Sequence, residues 1–530
     1  GRRVSRTAAD RVREPERPAR ELAGAARSGV LNLVGAGASA GLSFLLTVAA
    51  TRLLPTEVAG VFFVAMSVFA IAGTVAGVGA GVGAVYLLSR RRATGQAAGL
   101  RAVFQVALPP ALVASVAVAG AVWAAAPRLA TAMVPESPAA AVPALRVVAV
   151  LVPASVVFTF YVSALRGLGR TRPFVVLERL ARPGLQLAAV VGVGLLVTAG
   201  AGVVTAAWAL PHLVLAVAAV AWTRSLRRRR ERAAGVTAPR RAGRADWWEF
   251  WRFTGPRAVT SVAKMALQRL DVILIAALLG PVPVAHYVAA SRFLVVGQLV
   301  NQSLGYAVQH RFAELFATGD LPAARRLYQT TTGWLIAGAW ALFLLCVVLA
   351  EPVLRLFGDD YREAASVMRV LSAVMLLAIA CGMVSMVLEM AGRSVATLLQ
   401  TLLALAANVG LNLLLIPHWG LVGAALAWAA AIALNNLIPF AQLHREYRMQ
   451  PLGAGALVAM AAATACFGLL PGAAVWLAAG RPAVLVTATA AGAVLYLWAL
   501  WRSRRVLQLD LLVAAVRRRS NRSADIPDQS

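Results

Sequence analysis

The sequence predicts an all-α integral membrane protein of about fourteen transmembrane helices, and three observations carry that prediction. Hydrophobic residues make up 60% of the 530 and charged residues only 14%, with a mean hydropathy of +0.74, a balance outside the range of soluble domains. Apolar windows of about 20 residues, the length a ~30 Å hydrocarbon core demands, recur along the whole chain. The 51 lysines and arginines fall mostly between those windows, and alternate connections are rich and poor in them, as the positive-inside rule requires. That distribution accounts for the net charge of +29 without a nucleic-acid partner.

Each segment follows in order. Residues 1–27 are rich in Arg, Ala and Glu and lack the short apolar core and cleavage site of a secretory signal, so they read as a disordered cytosolic tail. Spans are predicted at 29–54, 57–88, 102–126, 145–165, 174–199 and 203–222, forming a first lobe over 28–222. The polar stretch 223–251 is a cytosolic linker: its Arg227–Arg230 run suits anionic inner-leaflet lipid, and Trp247, Trp248 and Trp251 suit the interface. Six more spans, at 253–279, 284–308, 328–350, 364–390, 396–416 and 420–443, form a second lobe over 252–446. Two additional helices, at 452–478 and 483–501, occupy 447–502. The tail 503–530 opens with a basic stretch, Ser503–Arg519, patterned for an amphipathic interfacial helix. Basic residues crowd the connections on the side of both termini, which places both ends in the cytosol and the chain in the plasma membrane.

Connections on the opposite side, such as Pro55–Glu57, Gly280–Pro283 and Pro417–Trp419, are short. They leave no room for the carboxylate-bearing loop that a membrane glycosyltransferase needs, and Asp359-Asp360 is the only acidic pair there. No enzymatic activity is expected. Cys346, Cys381 and Cys466 sit in apolar stretches without metal-ligand spacing, so no metal site is expected either.

The two lobes resemble each other. Leu53-Leu54-Pro55-Thr56 answers to Leu278-Leu279-Gly280-Pro281, 225 positions on, and LRGLGRTRP around Gly169-Arg170 answers to LEMAGRSVA around Gly392-Arg393, 223 positions on. Six crossings return the chain to its starting side, so the repeats are parallel and a binding site is expected between them near the midplane.

The string LQRLDVILIAALLGPVPVAHYVAASRF resembles the seventh and eighth helices of Wzx-type polysaccharide flippases, and ATRLLPTEVAGVFFVAMSV resembles their first and second. The similarity extends over about residues 28–450, and its motifs identify the superfamily of multidrug, oligosaccharidyl-lipid and polysaccharide exporters better than they identify a cargo. The resemblance implies two six-helix lobes around a cavity that opens alternately to each side. It implies an undecaprenyl-diphosphate-linked oligosaccharide as cargo, turned from the inner to the outer leaflet, with glycosyltransferases or a polymerase of the same pathway as partners. A lipid II flippase and a cation-coupled multidrug exporter are the alternatives within the superfamily. A membrane glycosyltransferase and a non-transporting scaffold are the alternatives outside it.

A diphosphate crossing a low-dielectric core needs buried cations, and the seventh helix offers them. Lys264 is the only lysine of the chain, and a basic side chain near mid-membrane costs roughly 2.5–3.5 kcal/mol, which marks it as a functional residue. Arg257, Lys264 and Asp271 are spaced seven apart, drifting about 20° per step, and Gln268 lies one turn above Lys264, so all four share a face expected to look into the cavity. Asp271 and Arg292 lie at matching depth on adjacent helices. Two roles stand open for Asp271: an ion pair with Arg292, or coupling to Na+ or H+. Arg52, at the outer end of the first helix, either reaches the cavity or snorkels outward. Asn408 and Asn412, one turn apart on one face, either contact the glycan or tie helices together. Asn32, Asn301, Gln302, Gln400 and Asn435 are further polar positions within spans, and Glu389 is expected to be solvated.

Overall fold

The structure, a computed structural model, describes residues 16–96, 99–196, 199–235, 240–477 and 481–508. The described residues form helices and turns, with no strand among them. The first half comprises α1 (Glu16–Leu53), α2 (Thr56–Gly77), α3 (Ala80–Ala93), α4 (Leu100–Met133) and α5 (Pro138–Gly167). A π-helical turn, Val175–Ala181, then leads into α6 (Arg182–Leu196), followed by α7 (Ala201–Ala209) and α8 (Pro211–Ala233). The second half comprises α9 (Arg244–Leu279), α10 (Pro281–Ser291), α11 (Leu294–Thr318), α12 (Leu321–Val348), α13 (Ala365–Ala380), α14 (Val384–Met390) and α15 (Ser394–Tyr447). Three shorter helices follow: α16 (Ala454–Ala463), α17 (Leu470–Leu477) and α18 (Pro482–Arg502).

Ten helices among the described residues are long and apolar enough to cross a membrane. One of them, α15, turns back on itself at Gly420, whose φ of 55° and ψ of −135° break the helical path. Gln400 donates to Gln442 across the resulting hairpin at 2.8 Å, and a methyl group on Gly423 would stand 2.3 Å from the Leu415 carbonyl. Three predicted spans fall outside the ten for local reasons. The π turn interrupts 174–199, and the chain breaks at Arg292-Phe293 within 284–308. Within 253–279, Arg257, Lys264, Arg269 and Asp271 make the helix too charged to qualify on apolarity.

Two predicted boundaries shift because an apolar pattern marks where lipid contact ends, not where a helix ends. α1 begins at Glu16, so residues 16–27, expected to be disordered, are helical; Ala, Arg, Glu and Leu are strong helix formers. α8 likewise runs on to Ala233 and α9 starts at Arg244, which reduces the expected linker of 223–251 to the residues between them. Residues 503–508 form turns, and the rest of the expected amphipathic helix lies outside the described residues.

The repeat is written in the helix ends. α5 closes with Gly169 at φ 74° and the Arg170 amide bonded to the Leu165 carbonyl at 3.1 Å; the end of α14 places Gly392 at φ 86° and the Arg393 amide on the Leu388 carbonyl, also at 3.1 Å. α3 and α11 match in the same way, through Gly95 at φ 71° and Gly319 at φ 73°. Each is a six-to-one C-cap that needs a left-handed residue, which glycine adopts without a Cβ penalty.

Two seams join the halves. Along the first, α2 and α3 run antiparallel to α9. Gly60 lies so close to α10 that a Cβ there would stand 1.9 Å from the Pro281 carbonyl, while Gly79 packs on Ala258 and Gly83 on Thr254 and Phe250. Tyr86 then stacks on Phe253 at 3.9 Å. At the far end Arg90 meets Glu249 at 2.8 Å and Arg91 meets Asp246 at 2.7 Å. Small residues let the backbones approach, as in other membrane helix pairs. The second seam uses only the outer part of α1. Arg292 donates to the Ser43 carbonyl at 2.7 Å, Phe44 meets Phe293 edge-on at 5.3 Å, and Arg52 donates to the Leu356 carbonyl at 3.0 Å. Nearer the other end, Gly35 and Leu42 of α1 pack on Val175, Arg179 and Gly184 of their own half.

Asp246 precedes the apolar stretch of α9 and anchors the first seam. Its carboxylate accepts from the Gly243 amide at 2.8 Å and from both Arg91 and Arg240. Burial pushes its pKa up, but the Gly243 amide and the two guanidinium groups outweigh that effect and hold the carboxyl below its usual range.

Candidate functional site

A cavity of about 520 Å3 lies among helices of the second half. α9 contributes Lys264 and Gln268, α11 contributes Gln298, Asn301 and Gln309, and α15 contributes Thr397, Thr401, Asn435 and Asn436. The wall is completed where α13 gives way to α14: Gly382, at φ 67°, breaks the helix, and Met383, Val384, Ser385 and Met386 face the space beside Glu389. Amides and hydroxyls that both donate and accept hydrogen bonds therefore surround a single cation and a single anion. The volume falls in the range of small-molecule sites, enough for part of a polar headgroup rather than a whole lipid.

Lys264 Nζ stands 4.0 Å from Glu389 Oε1, and their side chains are 54% and 34% exposed. A charge-assisted hydrogen bond spans about 2.7–2.9 Å, so the pair is electrostatic without being locked. Glu389, expected to be solvated, is instead the counter-charge of the cavity. It occupies the repeat position of Arg166, which rests on the Phe174 ring.

The face of α9 divides by height. Lys264 and Gln268 line the cavity, whereas Arg257 lies roughly 10 Å lower along the axis and bonds its own helix, through the Phe253 carbonyl at 2.9 Å and the Phe253 ring. Asp271 lies above the cavity and is buried. Asn412 donates to it at 3.0 Å and the Tyr287 hydroxyl at 3.3 Å. The expected pair of Asp271 with Arg292 does not form: Arg292 turns across to Ser43 of α1. Matching depth left the direction of the side chain undefined, and the break between α10 and α11 at Arg292 points it at the other half.

Arg52 is likewise drawn to the outer carbonyls of Arg355 and Leu356 and does not line the cavity. Asn408 and Asn412 also lie outside it, wholly buried beside Asp271. Asn412 Nδ2 also reaches the Asn408 carbonyl at 2.8 Å, so the two share a face as their spacing required. The Asn412 Oδ1 and both polar side-chain atoms of Asn408 are buried without a hydrogen-bond partner. Two orphaned amide oxygens beside a carboxylate make an oxygen set of the kind hard cations prefer.

Gln298 and Gln309 escaped the sequence reading although the signal was present. Residues 298, 301, 305 and 309 recur every three or four positions and stripe one face of α11.

A profile of the polysaccharide biosynthesis protein family matches residues 25–312, more than half the chain, and a MatE profile matches residues 256–417. No curated protein sequence gives a significant match. Among solved structures, the chain is similar to the lipid II flippase MurJ in an inward closed conformation, at 13% identity and a TM-score of 0.65, covering 89% of this chain and 98% of that one. It is similar to an inward-facing multidrug resistance transporter of the MATE family at 18% identity and a TM-score of 0.62, covering 77% and 94%. A MOP superfamily transporter from Pyrococcus furiosus aligns at 17% identity and a TM-score of 0.53, covering 80% and 96%. Identities this low make the likeness one of fold, that of multi-pass membrane transporters. With the family profile covering more than half of the sequence, the chain belongs to the polysaccharide biosynthesis protein family, the polysaccharide flippases of the MOP superfamily.

Proposed function

We propose that this transporter moves an undecaprenyl-diphosphate-linked oligosaccharide from the inner to the outer leaflet of the plasma membrane, supplying cell-surface polysaccharide assembly. The observation that supports this reading is the loosely held Lys264 in an amide-lined cavity. A phosphate oxygen arriving at Lys264 replaces the 4.0 Å contact with a direct charge-assisted bond, and Gln268, Asn301 and Asn435 offer the paired donors and acceptors that sugar hydroxyls need. Glu389 returns to Lys264 as cargo leaves, which keeps the cavity near neutrality when empty. A drug cation would have to compete with Lys264 for Glu389, so the cavity favours anionic cargo.

In this reading residues 28–222 and 252–446 act as two lobes that alternate access, both termini lie in the cytosol, and 447–502 stand outside the repeat. The Asp271, Asn408 and Asn412 oxygens take up Na+ or H+ and couple its gradient to transport.

The reading is tested in vesicles holding the full chain and a fluorescent polyprenyl-diphosphate sugar. Leaflet transfer that is lost in Lys264→Ala and kept in Lys264→Arg supports it. New glycosidic bonds without transfer, or transfer of lipid II alone, would overturn the proposed activity or the proposed cargo respectively.

A further inference from the structure

A second cavity, of about 300 Å3, lies in the first half, away from the transport cavity, where α4, α5 and α8 meet. Arg101, Arg224 and Arg227 surround its cytosolic mouth, and Phe104, Leu108, Pro109 and Leu112 line its depth. We infer that this cavity binds one anionic phospholipid of the inner leaflet, its phosphate between the arginines and an acyl chain along α4.

Charge, depth and backbone chemistry support the assignment. Arg227 lies 3.6 Å from Glu231 and over the Phe104 ring, whereas Arg101 and Arg224 are exposed and form no ion pair among the described residues. Three guanidinium groups thus face one carboxylate, and guanidinium is the group best shaped for phosphate oxygens. From Arg101 to Leu112 the α4 axis rises roughly 16 Å, close to the thickness of one leaflet, so the polar mouth and the apolar floor are spaced as a lipid's headgroup and tail are. Pro109 has no amide to give the Gln105 carbonyl, which leaves an acceptor near the mouth for a headgroup hydroxyl. The Gln105 side chain meanwhile accepts from the Ala242 amide at 2.9 Å. Ala242 belongs to the connection between the halves, so an occupied cavity would stiffen the segment that links them. Nothing in this site depends on the identity of the transported cargo.

Native mass spectrometry of the full chain released from nanodiscs tests the inference, with phosphatidylglycerol and phosphatidylcholine offered together as probes. The wild type is expected to retain phosphatidylglycerol in preference to phosphatidylcholine. The double variant Arg101→Gln, Arg224→Gln should bind it about thirtyfold more weakly, at about fivefold per basic residue near a membrane surface. Leu112→Trp fills the apolar floor without changing charge and should also expel the lipid. Glu231→Gln should bind about fivefold more tightly, a gain that misfolding cannot produce. Equal retention of both lipids, unchanged binding in the double variant, or a Glu231→Gln variant no tighter than wild type would overturn the inference. Displacement by inorganic phosphate, with Leu112→Trp silent, would do so as well, because it would identify a phosphate site and not a lipid site.

Discussion

α1 and α9 occupy equivalent places in the two halves, yet only one of them carries ionic chemistry at its centre. Ser39 stands at the repeat position of Lys264, Ser43 at that of Gln268 and Leu46 at that of Asp271. The backbone plan is duplicated, down to left-handed glycines at Gly95 and Gly319 and at Gly169 and Gly392, but the cavity is built from the second half. Helix ends and close approaches depend on backbone geometry, which a duplication preserves. Buried charge is costly wherever it has no ligand, so it persists only where it is used.

The sharpest way to break this comparison is to move the charge. Lys264→Ala is expected to lower leaflet transfer by about ten- to a hundredfold, the worth of a hydrogen bond to a charged group, at unchanged membrane abundance. Adding Ser39→Lys should not restore it, because the amides and Glu389 stay in the second half. Recovery in that double variant would make the halves equivalent.

Asp246 gives the next largest effect. Asp246→Asn leaves Arg91 buried beside a neutral partner, and the loss of a buried pair typically costs about 3–5 kcal/mol, read as a lower midpoint of thermal unfolding. The folded carboxyl titrates below its ordinary value of about 3.9, so its stabilisation is complete above that pH and fades as pH falls through the lower folded value. Wild type and Asp246→Asn should therefore converge in stability only below about pH 4.

The two seams predict different tolerance to a single methyl group. Gly60→Ala forces a carbon onto the Pro281 carbonyl and should cost about 1–3 kcal/mol. Gly41→Ala on α1 meets nothing within 4 Å and should be neutral within about 0.5 kcal/mol. Equal losses in thermal unfolding would erase the distinction between the seams.

The smallest effect compares the matched caps. Gly392→Ala has open space and should cost only the left-handed backbone, about 1–2 kcal/mol. Gly169→Ala should cost that plus displacement of the Arg92 guanidinium, which now occupies the place of the new methyl. A Gly392→Ala variant less stable than Gly169→Ala would contradict the matched geometry.

Much of the architecture was legible in the sequence because membrane insertion is governed by apolar length and arginine placement, both visible residue by residue. The repeat was legible for a similar reason: Leu-Gly-Arg and Ala-Gly-Arg terminate helices in the same way. The ligand set was harder. Heptad spacing put Arg257, Lys264 and Asp271 on one face, but spacing along one helix gives neither the height of a cavity nor the partner across it. Asp271 is met by Asn412 and Tyr287, which are distant in sequence or on another helix, and Arg292 is taken by Ser43, 249 positions away. Glu389 looked like a helix-end acid facing water because nothing in its own segment shows that Gly382 tilts that segment toward α9.

The unequal seams have a mechanical consequence. α2 and α3 adhere to α9 and α10 from Gly60 to Arg91, whereas α1 touches the second half only from Ser43 outward. The molecule is bound like a book, with a glycine-lined spine on one side and a fore-edge fastened only at its outer corner. Parting the halves at the fore-edge breaks two arginine-to-carbonyl bonds and an aromatic contact, while parting them at the spine would strip an entire helix pair. The fore-edge is therefore the side through which a lipid tail can trail in the bilayer while its headgroup is enclosed.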